Sequence, residues 1–455
     1  MFFERIVSEG IAHNSYLVGS RGKAAVIDPR RDCDIYPEIA RQNELVITHI
    51  FETHRNEDYT IGSLELKERC GADIFHGGKM AFAYGKAVNE GDTFTLGSVE
   101  LSVLETPGHT EESISLVLRD NEVGEQPFMV FSGDTLFAGD IARTDFFGKE
   151  RNAEMAAKIH DSINKKILPL GEGVILCPAH GAGSVCGGEI ADHPFTTIGY
   201  EKTTNRFLSI SRESFIAQRV TESPYVPPYF RQMEINNREG APILHHVPAL
   251  RLLSVPEVNQ LRKDGCQIID IRSPTSFGAG HIPGSISIWR EGLPAFMGWF
   301  LDYQKPIIIV DDFNLEPDRV IRHFIRLGYD RIAGMLSGGF PVWTKAAQEI
   351  GTVPTCSVQQ LKQRLDTEKP FILDVRDIKN WRAVGHIRDA HHRYIGELPQ
   401  YLDEIPKNEP VVVYCDAGYK GSLAASILAI HHYHLVTNVL GGMTAWKRAG
   451  FPVEK

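Results

Sequence analysis

The stretch Pro410-Val411-Val412-Val413-Tyr414-Cys415-Asp416-Ala417-Gly418-Tyr419-Lys420-Gly421 decides the architecture of the second half of the chain. A short apolar run that ends in a loop with two glycines reads as a strand buried on both faces. The run Ser422-Leu423-Ala424-Ala425-Ser426-Ile427-Leu428-Ala429-Ile430 then reads as a helix. Upstream, Pro370-Phe371-Ile372-Leu373-Asp374-Val375 is another buried strand, and Ser357-Val358-Gln359-Gln360 is a capping box that opens a helix. Strand–helix alternation of this kind predicts a parallel sheet covered on both faces, a doubly wound α/β domain. The same landmarks occur earlier. Ser254-Val255-Pro256-Glu257 matches the capping box, and Asp270-Ile271-Arg272 matches Asp374-Val375-Arg376. Gly280-His281-Ile282 matches Gly385-His386-Ile387, and Gly338-Gly339 with Trp343 matches Gly441-Gly442 with Trp446. A nearly constant spacing of about 100 residues marks an internal duplication. Two homologous domains are expected, at 246–350 and 351–455.

Residues 1–245 read differently. Ala24-Ala25-Val26-Ile27-Asp28 and Leu45-Val46-Ile47-Thr48-His49-Ile50 are strands, and 93–135 is rich in hairpins. The polar stretch from Arg212 to Ala249, with Pro224, Pro227, Pro228 and Pro242, is expected to carry the linker. The composition of the 455 residues, 42% apolar and 23% charged, excludes a disordered, collagen-like or coiled-coil chain. The balance of 48 Lys+Arg against 58 Asp+Glu offers no basic face to nucleic acid or an anionic membrane. Seven cysteines, an odd number without a C-x-x-C pair, argue for a reduced interior. No run approaches the roughly 18 apolar residues of a membrane helix. Met1-Phe2-Phe3-Glu4-Arg5 does not open a signal peptide. A cytoplasmic protein is expected, without nucleic-acid or membrane partners.

Four segments of the first half end an apolar run with a residue able to bind metal. They are Glu52-Thr53-His54, Thr106-Pro107-Gly108-His109, Ser132-Gly133-Asp134 and Cys177-Pro178-Ala179-His180-Gly181. Strand ends are rigid and keep ligand geometry. The segments resemble those of the metallo-β-lactamase superfamily, whose first motif is usually His-x-His-x-Asp-His. Here it reads His54-Arg55-Asn56-Glu57-Asp58-Tyr59, with Asn56 and Tyr59 replacing two histidines. The resemblance implies an αββα sandwich over 1–245, while the two replacements speak against the usual pair of zinc ions. His54, His109 and Asp134 remain as two imidazoles and one carboxylate, the facial triad of non-haem Fe(II) oxygenases. The persulfide dioxygenase branch of the superfamily uses these positions for one iron. One Fe(II) per chain is therefore implied, with zinc as the alternative. Asp58 and His180 would stand behind the ligands and orient them and the substrate. Arg143, in Ala142-Arg143-Thr144-Asp145-Phe146, would steady an anionic sulfur species.

In the loop Asp416, Ala417, Gly418, Tyr419, Lys420 and Gly421, backbone N–H groups and the helix N-terminus can face an anion. The Cys415 thiol is therefore expected to have a lowered pKa and to be nucleophilic. Gly418 and Gly421 permit the curvature, and Lys420 adds charge at the rim. Residues 351–455 resemble rhodanese sulfurtransferases, which implies that Cys415 accepts sulfane sulfur and passes it on. In the first repeat, Ile309-Val310-Asp311-Asp312-Phe313-Asn314 puts Asp311 at the cysteine's place. Residues 246–350 are thus read as a silent rhodanese-like domain that serves as spacer, channel wall or subunit interface. The whole chain resembles fusions of a persulfide dioxygenase with rhodanese domains. That resemblance implies oxidation of a low-molecular-weight persulfide, RSSH, by O2 and water to sulfite and RSH. It also implies sulfane transfer through Cys415, to a thiol or to sulfite giving thiosulfate, in a self-associating protein. Two other readings stay open. One is a glyoxalase II-like thioester hydrolase with two metals and no oxygen consumption. The other is a non-enzymatic sulfur carrier or sensor with a degenerate metal domain.

Overall fold

Strands of alternating apolar pattern pair in the first half into two six-stranded sheets, in a computed structural model that describes residues 1–455. One sheet runs in the order Phe2–Ser8, His13–Ser20, Lys23–Ile27, Val46–Glu52, Asp73–Gly77, Lys86–Val88. The other runs Thr196–Thr197, Ile175–Pro178, Met129–Gly133, Ile114–Asp120, Val99–Glu105, Thr93–Leu96. Their inner faces share one core, including Phe51, Phe75, Leu101, Leu116, Leu118 and Phe131. On the outer face of the first sheet, Leu17, Val26 and Ile50 pack with Tyr36, Ala40 and Leu66 of helices Ile35–Gln42 and Ser63–Cys70. On the outer face of the second, Val117, Val130 and Leu176 pack with Ile159 and Phe215 of helices Lys149–Ser162 and Arg212–Thr221. The layers are helix, sheet, sheet, helix: the expected αββα sandwich.

The chain divides into two units. The first comprises Met1–Pro248 and Phe324–Gly328, the second Ala249–His323 and Tyr329–Lys455. The stretch read as a linker is largely structured. It forms the helices Arg212–Thr221 and Phe230–Glu239 of the first unit, which bury Phe215, Phe230, Met233 and Asn237. Its prolines lie outside both helices, where they interrupt nothing.

The second unit repeats one architecture. Leu252–Leu253, Ile332–Leu336, Ile307–Val310, Gln267–Asp270 and Ile286–Ser287 form a five-stranded sheet, all parallel. Thr355–Cys356, Val436–Val439, Val411–Tyr414, Phe371–Asp374 and His391–His392 form another in the same order, also all parallel. The central strands Ile307–Val310 and Val411–Tyr414 are buried along their whole length, as a sheet covered on both faces requires. The repeated sequence landmarks have matching jobs. Arg272 pairs with Asp270 and Arg376 with Asp374, each at 2.6 Å. Each Arg also donates to a glycine carbonyl at 2.7 Å, Gly280 in one copy and Gly385 in the other. Both capping boxes form, and Trp343 and Trp446 fill equivalent core positions. The seven cysteines are unpaired. No helix is long and apolar enough to cross a membrane.

Candidate metal centre and cysteine loop

Four strands of the sandwich end beside the candidate ligands. Val46–Glu52 leads to His54, Val99–Glu105 to His109, Met129–Gly133 to Asp134 and Ile175–Pro178 to His180. The structure brings all four together, fully buried. Asp134 Oδ2 lies 3.7 Å from His54 Nε2 and 3.5 Å from His109 Nε2. His180 bridges the carboxylates, with Nδ1 2.7 Å from Asp134 Oδ1 and Nε2 3.0 Å from Asp58 Oδ2. Asp58 thus reaches the cluster through His180. The other nitrogen of each leading imidazole is held from behind. His54 Nδ1 lies 3.0 Å from Thr53 Oγ1, and His109 Nδ1 lies 2.9 Å from the carbonyl oxygen of Arg143.

Electrostatics divide the histidines. Burial drives the His54 imidazole down to about 4, so it is neutral. Burial also opposes charge on His109, yet adjacent Glu57 and Asp134 carry it up to about 9. His180, likewise opposed by burial, is held well above its ordinary value by Asp134 and Asp58. Protons on His109 and His180 therefore offset only part of the charge of the buried carboxylates Glu57, Asp134 and Asp58. A cation in the same place would do the same work. Nε2 of His54, His109 and His180 and one oxygen each of Glu57 and Asp58 are buried without an aligned hydrogen-bond partner. Unsatisfied buried polar atoms are costly, so the donor set fits a metal ion.

One residue here, Glu57, escaped the sequence reading. Glu57 Oε1 lies 3.1 Å from His109 Nε2 and accepts a hydrogen bond from Cys186 Sγ at 3.3 Å. Ligand atoms of His54, Glu57 and His109 fall within 4.8 Å of one another, as do those of Asp58, His180 and Cys186. Glu57 stands inside the histidine motif, and only that position hints at its place. Cys186, which flanks the His180 loop in sequence, reaches the site as well. Asn56 Nδ2 turns to the His54 carbonyl oxygen, and Tyr59 packs on the ring of His13, centroids 4.1 Å apart.

The Arg143 side chain is engaged within the chain. Its guanidinium is clamped to Asp145 by two hydrogen bonds of 2.7 Å, donates to the Tyr225 carbonyl and lies over Phe146. Its backbone carbonyl holds His109 Nδ1.

In the second unit, Val411–Tyr414 runs into Cys415, and the helix Tyr419–Ile430 begins behind the loop. Gly418, at φ +98°, donates its backbone N–H to Cys415 Sγ at 3.1 Å. A side chain at Gly421 would strike Asn438 Oδ1, and Asn438 Nδ2 in turn donates to the Gly418 carbonyl at 3.0 Å. The cradle is therefore present, but one expectation changes. Cys415 is 1% exposed, and burial raises its thiol above the ordinary value despite opposing backbone hydrogen bonds and Lys420. Lys420, paired with Asp416 at 2.8 Å, still pulls the thiol down, as expected of a positive charge at the rim. In the first repeat, Asp311 occupies the cysteine's place: Phe340 N donates to its carbonyl as Met443 N does to that of Cys415, both at 2.8 Å. The Asp311 carboxylate accepts from Leu315 N at 3.0 Å and from Arg290 at 2.7 Å, so a carboxylate of the chain fills that cradle.

Facing sheets with metal donors at their strand ends, followed by two parallel-sheet domains of which one carries a cradled thiol, define a metallo-beta-lactamase fold with rhodanese-type modules. Residues 9–180 match the family model of the metallo-beta-lactamase superfamily, and 254–346 and 357–449 each match that of the rhodanese-like domain. The chain belongs to the metallo-beta-lactamase superfamily and carries two rhodanese-like domains. It is similar to the solved structure of a metallo-beta-lactamase from Staphylococcus aureus subsp. aureus COL. That likeness has 31% identity and a TM-score of 0.67, and it covers 74% of this chain and 99% of the other. Hydroxyacylglutathione hydrolase GloC of Haemophilus influenzae is 26% identical over 208 residues, 41% of this chain and 87% of the relative. A putative sulfur carrier protein, YrkF of Bacillus subtilis, is 26% identical over 128 residues, 28% of this chain and 61% of the relative.

Proposed function

We propose that the chain is a non-haem iron persulfide dioxygenase fused to a sulfurtransferase. The observation that carries this reading is the convergence of His54 and His109 on Asp134, with Asn56 and Tyr59 where a second metal would need imidazoles. His54, His109 and Asp134 would hold one Fe(II). An ion so held supplies vacant coordination positions for O2 and a sulfur donor. The chain's own residues do the rest. His180 and Asp58 fix the Asp134 carboxylate, the Arg143 carbonyl fixes His109, and the buried surroundings exclude bulk water. The net reaction is RSSH + O2 + H2O to sulfite and RSH. At the second site the Cys415 thiolate attacks the outer sulfur of a persulfide. RS⁻ leaves, and Cys415–S–SH forms within the Gly418 cradle. Sulfite can then take the outer sulfur as thiosulfate and release the thiolate.

GloC favours a second reading, a two-metal thioester hydrolase, because Asp58 and His180 also cluster in the sandwich. The two differ in oxygen. Iron-loaded protein given a low-molecular-weight persulfide should consume O2 and form sulfite. Thioester hydrolysis without oxygen uptake would replace this proposal with the hydrolase.

A further inference from the structure

Asp28 closes the strand Lys23–Ile27 in a backbone conformation that non-glycine residues rarely adopt, φ +50°. Its N–H is tied to the Phe51 carbonyl at 2.8 Å, which pins the carboxylate beside the metal loop. Both carboxylate oxygens are used. Oδ1 accepts from Thr53 N and Oδ2 from Thr53 Oγ1, each at 2.7 Å. Thr53 Oγ1 also lies 3.0 Å from His54 Nδ1. All three side chains are buried, so water does not compete. Gly133, at φ +54°, leaves the room for this hydroxyl: a Cβ there would stand 2.7 Å from Thr53 Oγ1.

Proton counting sets the direction of the chain. A hydroxyl has one hydrogen, and an ionised carboxylate only accepts. Thr53 gives its hydrogen to Asp28, so toward His54 it can only accept. His54 Nδ1 must then carry the ring proton, and the Nε2 lone pair is left facing Asp134. We infer that Asp28 and Thr53 are positioning residues that select the metal-binding tautomer of His54. The inference rests on the reading of His54 as a ligand. It also makes a directional prediction. In Asp28→Asn the amide can keep its oxygen on Thr53 N while its NH2 donates to Thr53 Oγ1. The threonine hydrogen then points at His54 Nδ1, which becomes the acceptor, and the proton moves to Nε2, where it blocks the ligand position.

The test uses full-length, metal-free protein labelled with 15N-histidine. It is run at pH 8, above the value of about 7 to which burial pushes the Asp28 carboxyl. Long-range 1H–15N spectra, with His54→Gln to assign the resonance, should show the His54 proton on Nδ1. Asp28→Asn should move it to Nε2. Thr53→Val should loosen the preference and Thr53→Ser restore it. Fe(II) affinity, measured anaerobically against a chromogenic chelator, should fall about 10- to 100-fold in Asp28→Asn and Thr53→Val, and recover in Thr53→Ser. An Nε2–H tautomer in the wild-type protein overturns the inference even if no variant folds. So does an unchanged tautomer in Asp28→Asn. Undiminished Fe(II) affinity in His54→Gln would instead overturn the ligand reading, with the tautomer result standing apart.

Discussion

Asn237 lies in a stretch that reads in sequence as linker, yet its side chain ties down the loop between His54 and the next helix. Nδ2 donates to the carbonyls of Asn56 and Tyr59 at 2.6 and 2.7 Å, and Oδ1 accepts from Ile61 N at 2.9 Å. Removing it leaves buried carbonyls unpaired. Asn237→Ala should cost about 3 kcal/mol of stability, and denaturant unfolding would show this as a lowered midpoint. A loss under about 0.5 kcal/mol would mean that the loop holds itself. At Cys415 the sign of the pKa shift gives another outcome. Burial raises the thiol, so the thiolate fraction keeps growing as pH rises through the ordinary cysteine range. The rate of Cys415 alkylation should still be climbing above pH 9, whereas a plateau by pH 8 would show that the cradle outweighs burial. Single residues were legible where they end apolar runs, as His54, His109, Asp134 and Cys415 do. Glu57 and Asn237 were not, because their roles depend on segments that meet only in the folded chain. The ion pair of Arg143 with Asp145 was not legible for a related reason: nothing in sequence says which way a guanidinium turns.

At the scale of elements, the duplication could be read because each landmark has a job that both copies need: a capping box, an Asp–Arg pair, a buried Trp. The helices at 212–239 could not, because prolines and polar residues around short amphipathic stretches also suit a linker. The first repeat meets the second through a defined contact. Its edge strand Ile286–Ser287 docks on the helix Tyr419–Ile430, with Ser287 Oγ 2.9 Å from Ser422 Oγ and Ser287 N donating to Ser426 Oγ at 3.0 Å. Just beyond, Trp289 packs on Tyr419 of the cysteine loop, ring centroids 5.1 Å apart. An aromatic pair contributes about 1 kcal/mol. Trp289→Ala should therefore lower kcat/KM for sulfur transfer roughly fivefold and leave oxygen uptake unchanged. Equal transfer rates in the two proteins would reduce the first repeat to a spacer.

For the whole molecule, the account predicts two separable chemistries in one chain. Cys415→Ser should abolish sulfur transfer and preserve oxygen uptake, and His109→Ala should do the reverse. Loss of both activities in either variant, with the fold intact by circular dichroism, would contradict separate sites. The central claim concerns the metal, and one measurement tests it most directly: elemental analysis of anaerobically purified wild-type protein beside Asp134→Ala. One iron per wild-type chain, lost in the variant, is the predicted result. Two zinc ions per chain, or iron that stays after Asp134 is removed, would contradict it.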